Sequence, residues 1–203
     1  MAGDANNQIW LTYVLTDEDV PNALTLCFSL KSVRTNRKIA VVASRKVSLQ
    51  QREFLHWSFD MFYCLDEDRN IAGLEIEEYV KLFPLTLKSF SRCVFLAPTM
   101  LVFKNSDDIF NQYGDQQDDI VMTENENDMS IFMVRPSPII FEILVNSLHA
   151  RNGTGTKNYL RTWIQNQQET KPKFLHGRYD RILSLQNTDL LGFVKQFLKL
   201  FVY

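Results

Sequence analysis

No stretch of this chain approaches the roughly 20 consecutive apolar residues a membrane-spanning helix requires, so none is expected. Charge of one sign is not in excess either. Lys and Arg number 22 against 24 Asp and Glu, a formal −2, which offers neither nucleic acid nor an anionic membrane an electrostatic handle. Cysteine is scarce: Cys27, Cys64 and Cys93 are odd in number, far apart and set among apolar residues. That pattern predicts free core thiols in a reducing compartment, cytosol or nucleus, and not a disulfide framework. The opening MAGDANNQ lacks the basic and apolar regions of a signal peptide, and residues 1–8 are expected to be disordered. Internal repeats, Gly/Ser linkers and low-complexity tracts are missing as well. What remains is one domain, and 203 residues suffice to bury a substantial core.

The first third alternates two periodicities. Ile9–Leu15 (IWLTYVL) is rich in β-branched and aromatic residues and predicts a strand. Thr16–Asp19 supplies turn and capping chemistry, and Pro21 suits a first helical turn. From Ala23 to Val33 the apolar positions recur at helical spacing. Lys38–Ala43 predicts a second strand, Ser48–Trp57 a surface helix with a serine cap, and Met61–Leu65 a third strand. Short links in a β-α-β-α-β order imply a parallel sheet with helices on its faces. Glu77–Phe90 is helical by pattern. Val94–Leu96 and Met100–Phe103 then read as buried strands meeting at the Pro98 kink. Ile120–Thr123, Ser130–Val134 and a helix over Pro138–Leu148 complete the predicted domain.

SRCVF (Ser91–Phe95), the later LV-x-x-N-x-DDIF (Leu101–Phe110) and IFMVRPS (Ile131–Ser137) give these elements a specific likeness. The chain resembles the glycogenin-like transferases of glycosyltransferase family 8, over about residues 9–190. The resemblance implies a single-domain α/β fold of the GT-A type, Rossmann-like, with a mixed, mainly parallel sheet flanked by helices over residues 9–188. In that family the central strand ends in an Asp-x-Asp that holds a divalent metal on a nucleotide diphosphate. Here those positions are Ala97 and Thr99. The family's later aspartate, which assists transfer, falls on Thr156, or on Gly155 if the alignment slips by one, and its acceptor tyrosine near Asn187. Its late metal histidine has no counterpart in this sequence. In the family's first turn an Asn and a Tyr hold the base and ribose; this chain has Thr16 and Asp19 there, keeping only the turn's own Asp17. Lys81, in VKL, matches a lysine that lies near the donor phosphates in the family.

Other candidates carry less. Asp66, Asp68, Asn70 and Glu77 fall at calcium-loop spacing, but Ile71 stands where the loop needs glycine, so a solvated loop is expected. Asp118, Asp119, Glu124, Glu126 and Asp128 form an acidic run, which is ordinarily solvated. His176 alone cannot hold a metal tightly, and His56 and His149 have no partner in reach by sequence. Asp107 and Asp108 are expected to cap a short helix. Asp189–Tyr203 predicts an amphipathic helix with Phe193, Phe197 and Phe201 at i, i+4 and i+8. That stripe either packs on its own domain or docks a partner.

With the metal ligands replaced, the expected function is a catalytically inactive glycosyltransferase-like module that binds a protein. No cofactor is expected, no nucleic acid and no membrane, and the resemblance allows a homodimer. Two alternatives stand beside it. One is a metal-independent UDP-sugar transferase using Lys81, Thr16 and Asp17 at the donor, with Mn2+ and a UDP-sugar entering only if this class holds. The other is a structural subunit of a large assembly, docked through the C-terminal helix.

Overall fold

The computed structural model of the chain describes residues 7–65, 75–111, 120–123, 129–150, 174–175 and 182–184. Strands β1 (Gln8–Val14), β2 (Lys38–Ala43), β3 (Met61–Cys64), β4 (Arg92–Leu96), β6 (Ile120–Thr123), β7 (Ile131–Val134) and β8 (Phe174–Leu175) form one sheet of seven, in the order β3-β2-β1-β4-β7-β6-β8. Strands β5 (Met100–Val102) and β9 (Ile182–Ser184) pair separately as an antiparallel two-stranded ribbon. The pairs β1–β2, β1–β4, β2–β3 and β6–β8 are parallel, while β7 runs antiparallel to both β4 and β6. The sheet is thus mixed and mainly parallel, as the sequence implies. Its strand order reverses between β1 and β4, the place where open α/β sheets leave a crevice beyond the carboxyl ends of their strands.

Helices α1 (Val20–Ser32) and α2 (Leu49–Ser58) cover one face, packing over Trp10, Val14, Val41, Val94 and Leu96. Helices α3 (Ile76–Leu82) and α4 (Pro138–Ala150) cover the other, over Ile9, Leu11, Val42, Phe95 and Phe132. Central strands buried on both faces read as continuous apolar runs, which is why IWLTYV and RCVFL showed no polar alternation. Across the sheet, Tyr13, Phe95 and Phe132 stack in sequence, with ring centroids 5.5 Å and 4.6 Å apart. Offset rings at such distances contribute about 0.5–1.5 kcal/mol per pair beyond burial, so this ladder clamps β1, β4 and β7 together.

Local chemistry sets the element ends. Ser48 accepts the Gln51 N–H at its hydroxyl and starts α2. Ser137 starts α4 in the same way, accepting the Ile140 N–H at 3.4 Å. α1 ends with Arg34 at φ +57, closed by the Thr35 N–H donating to the Leu30 carbonyl. This is the left-handed stop that glycine usually makes, here in a residue that pays for its Cβ.

Three expectations need correction. The helix predicted over Glu77–Phe90 ends at Leu82 and passes into a 3-10 turn, Phe83–Thr86, because Pro84 cannot donate to the helical ladder. Cys64 is exposed, since β3 is an edge strand; Cys27 and Cys93 are buried as predicted, and all three are free. Asp107 does not cap the 3-10 turn Asp107–Asn111. Its buried carboxylate accepts from Trp10 Nε1 (3.2 Å), Thr35 Oγ1 (2.5 Å), the Asn36 N–H (2.9 Å) and Asn105 Nδ2 (3.5 Å). No helix among the described residues is long and apolar enough to cross a membrane.

Candidate functional site at the carboxyl edge of the sheet

The crevice position is bounded by the segments that leave β1 and β4. After β1 the chain turns through Thr16 and the 3-10 segment Asp17–Asp19 into α1. Asp19 turns its carboxylate back to accept the N–H groups of Leu15 (2.9 Å) and Thr16 (3.0 Å), closing a capping box with Thr16. Asp17 accepts the Ser48 N–H at 2.7 Å and thereby fastens the start of α2 to the end of β1. The turn's polar groups are therefore engaged in holding backbone. Thr16 and Asp17 lie at the edge where the sequence placed them, but Asp17 faces the β2–α2 loop with its carboxylate already taken.

After β4 the backbone kinks at once. The Ala97 N–H donates to the Ser130 carbonyl (2.8 Å), and the Ala97 carbonyl accepts from the Met100 N–H (3.0 Å). Its methyl is buried in the cluster with Leu96, Met100 and Ile131. Thr99 is half-buried beside it. The kink expected at Pro98 also parts the two strands into different sheets, since β5 leaves to pair with β9. A hard divalent cation needs several oxygen ligands, preferably carboxylates. This strand end offers a methyl and a hydroxyl, so its donor set does not fit a cation. Among the described residues no group of three or more His, Cys, Asp and Glu side chains could hold one.

Lys81 lies on α3, over the opposite face of the sheet, and its Nζ donates to Glu78 Oε1 at 2.8 Å. Glu78 is 8% exposed. Tyr13 stands near the end of β1. Burial pushes its phenol up to about 12, and the charges of Asp19, Glu77 and Glu78 push the same way. Burial is the larger cause, and the turn and α3 carboxylates add to it. Sequence reasoning missed Tyr13 and Glu78. Glu78 could have been found, because Glu and Lys three apart on a helix are neighbours.

Thr156, His176, Asn187, Phe193, Phe197 and Phe201, the acidic run from Asp118 to Asp128 and the 66–74 part of the calcium-spaced loop lie outside the described residues. His56 is on α2, tilted against Phe62 with ring centroids 6.2 Å apart.

No protein-family model matches the chain. Glycogenin-1 of Caenorhabditis elegans is 31% identical over 116 residues, which are 52% of this chain and 27% of that protein. The chain thus spans about a quarter of the length of this relative. The glycosyltransferase GlyE of Streptococcus pneumoniae superposes over 81% of this chain and 44% of its own, with TM-score 0.56 and 12% identity. The galactosyltransferase LgtC, solved with donor and acceptor sugar analogues, superposes over 74% of this chain and 70% of its own, with TM-score 0.52 and 10% identity. Half of the sequence is similar to glycogenin-1, and the fold is the GT-A fold of these glycosyltransferases.

Proposed function

We propose that this glycogenin-like chain of GT-A fold is a catalytically inactive glycosyltransferase-like domain that acts by binding another protein. Ala97 carries the proposal. A metal-dependent transferase relies on its cation to neutralise the diphosphate leaving group, worth several kcal/mol of transition-state stabilisation. A buried methyl at the strand end removes that contribution at its source. The surroundings do not replace it: Asp17 and Asp19 hold backbone, and Lys81 is paired to Glu78. Exposed apolar side chains suit a protein-binding role, foremost Trp57 at 86% and Leu49 at 77% on α2. Free thiols at Cys27, Cys64 and Cys93 suit a reducing compartment, cytosol or nucleus.

Calorimetric titration with UDP-glucose and manganese, together with a donor-hydrolysis assay, tests the reading. The expected result is no metal-dependent binding and no turnover. Micromolar metal-dependent binding with hydrolysis would overturn it. Lys81 favours the rival class, a metal-independent transferase, which requires UDP-sugar binding without manganese that Lys81→Ala abolishes.

A further inference from the structure

Helices α1 and α2 meet at the carboxyl end of α2, where the Ser58 carbonyl accepts from Cys27 Sγ (3.3 Å) and Lys31 Nζ (2.6 Å). Leu24, Cys27 and Lys31 recur at i, i+3 and i+7, so they share the side of α1 that faces α2. Phe54 shares a side of α2 with Ser58, four residues on, and Trp57 stands three residues beyond Phe54. An apolar strip thus borders the seam: Leu24 is half-buried, Phe28 43% exposed, Phe54 51% and Trp57 86%. We propose that the Asp189–Tyr203 segment of the same chain docks on this strip as an amphipathic helix, so that the domain covers its own α1–α2 face. The inference stands apart from the reading of the donor edge.

Chain length and the place where the described residues end carry the choice of occupant. Ser184, the last of them, pairs with Met100 of β5. β5 is held to α1 by the Val102 N–H, which donates to Ser29 Oγ at 3.1 Å. Ser29 and Lys31 are two residues apart and so point about 200° apart round the helix, which puts β5 on the flank of α1 away from α2. Only α1 therefore separates Ser184 from the strip, and packed helices have axes about 8–10 Å apart. The five steps from Ser184 to Asp189 reach up to about 17 Å, enough to cross it. At about 1.5 Å per residue the segment makes a helix of about 22 Å, close to the length of α1. Leu190, Val194, Phe197 and Phe201 follow at spacings of four, three and four and make one apolar stripe, with Lys195 and Lys199 opposite. Those lysines suit the exposed Glu53, one turn before Trp57. A tethered segment is also present at high effective concentration, so a partner that uses the outer face of α2 has to displace it.

The test is limited trypsin digestion of the full chain, with cleavage after Lys195 and Lys199 followed by mass spectrometry. Phe54→Glu and Trp57→Glu each place a charge on the strip at a position the fold leaves exposed, so the domain should stay folded by circular dichroism. Both should speed cleavage at the two lysines about tenfold or more, because the docked segment is then released. Phe197→Glu should do the same from the other side of the contact. Trp57→Ala, which removes only an exposed ring, decides the matter should Phe54→Glu unfold the domain. Equal cleavage rates in the unsubstituted protein and the α2 variants overturn the inference. A rise with Phe197→Glu but not with the α2 variants overturns it too, because the segment then docks elsewhere. Protection that falls on dilution assigns the strip to a second copy of the chain and likewise defeats docking within one chain.

Discussion

The two ends of the sheet have been treated in opposite ways. At the amino end, the Asp107 carboxylate gathers donors from β1, from the turn after α1 and from Asn105. Arg37 donates to Gln8 Oε1 at 2.7 Å and lies over the Phe110 ring, and the Arg92 guanidinium reaches the Phe110 carbonyl. At the carboxyl end, Ala97 offers a methyl, Asp19 and Asp17 hold their own loops, and Lys81 is neutralised. The NSDDIF segment keeps its full polar complement where it braces the fold. At the amino end polar groups brace the fold across distant segments, whereas at the carboxyl end they hold only their own turns and helix.

Asp107→Ala is the largest test of that contrast. It leaves the Asn36 N–H without its acceptor and the Trp10 indole with the Thr35 hydroxyl alone, and it removes the acceptor of the Thr35 hydroxyl. A loss of about 3–4 kcal/mol is expected in urea unfolding. The matching truncation at the other end, Lys81→Ala, should cost no more than about 1 kcal/mol, as a helix pair three residues apart does. Comparable losses at both ends would erase the distinction.

Ala97→Asp sharpens it from the other side. The new carboxylate would enter the apolar cluster around Leu96, Met100 and Ile131, at a position only 9% exposed. Destabilisation of about 2 kcal/mol is expected. Manganese at millimolar concentration should not restore it, because one carboxylate is too few ligands. Metal-dependent recovery of the melting temperature would show that the remaining cation ligands are in place after all.

How far the sequence disclosed these two ends depends on the physics of each. β1, β2, β4 and β7 were readable because strands buried on both faces must be continuously apolar. The Ser48 cap was readable because capping is local. The Asp107 clasp was not, since its donors Trp10 and Thr35 lie far off in sequence and only the fold brings them together. That Ala97 and Thr99 follow β4 was legible in the sequence, but the burial of the Ala97 methyl was not. The β9 strand escaped notice because three residues carry no periodicity.

Tyr13 gives a smaller effect with a definite sign. The folded protein holds this proton more tightly than the unfolded chain does, with the phenol moved from about 10 to about 12. Below pH 10 the contribution is fully present; as pH rises toward 12 it is lost, because the unfolded state ionises first. Cys27, raised from about 9 to about 12 chiefly by burial, loses stability over an overlapping range. Tyr13→Phe should therefore flatten only the upper part of the alkaline limb of a stability–pH curve. An unchanged limb would mean that the Tyr13 hydroxyl is solvated and not buried as described.

The smallest effect probes the middle of β1, between the two ends. Thr12 is buried opposite Val41, and its hydroxyl is the one buried side-chain polar atom without a hydrogen-bond partner among the described residues. A hydroxyl in that state has given up water and received nothing, so the isosteric Thr12→Val should raise stability by up to about 1 kcal/mol. The strand conformation is equally favoured by valine, and no other contact changes. A gain of that size would show that β1 carries a polar group with no mechanical duty two residues before its carboxyl end. A loss would reveal an acceptor for the hydroxyl, and Thr12 would then belong with Asp107 among the groups the fold depends on.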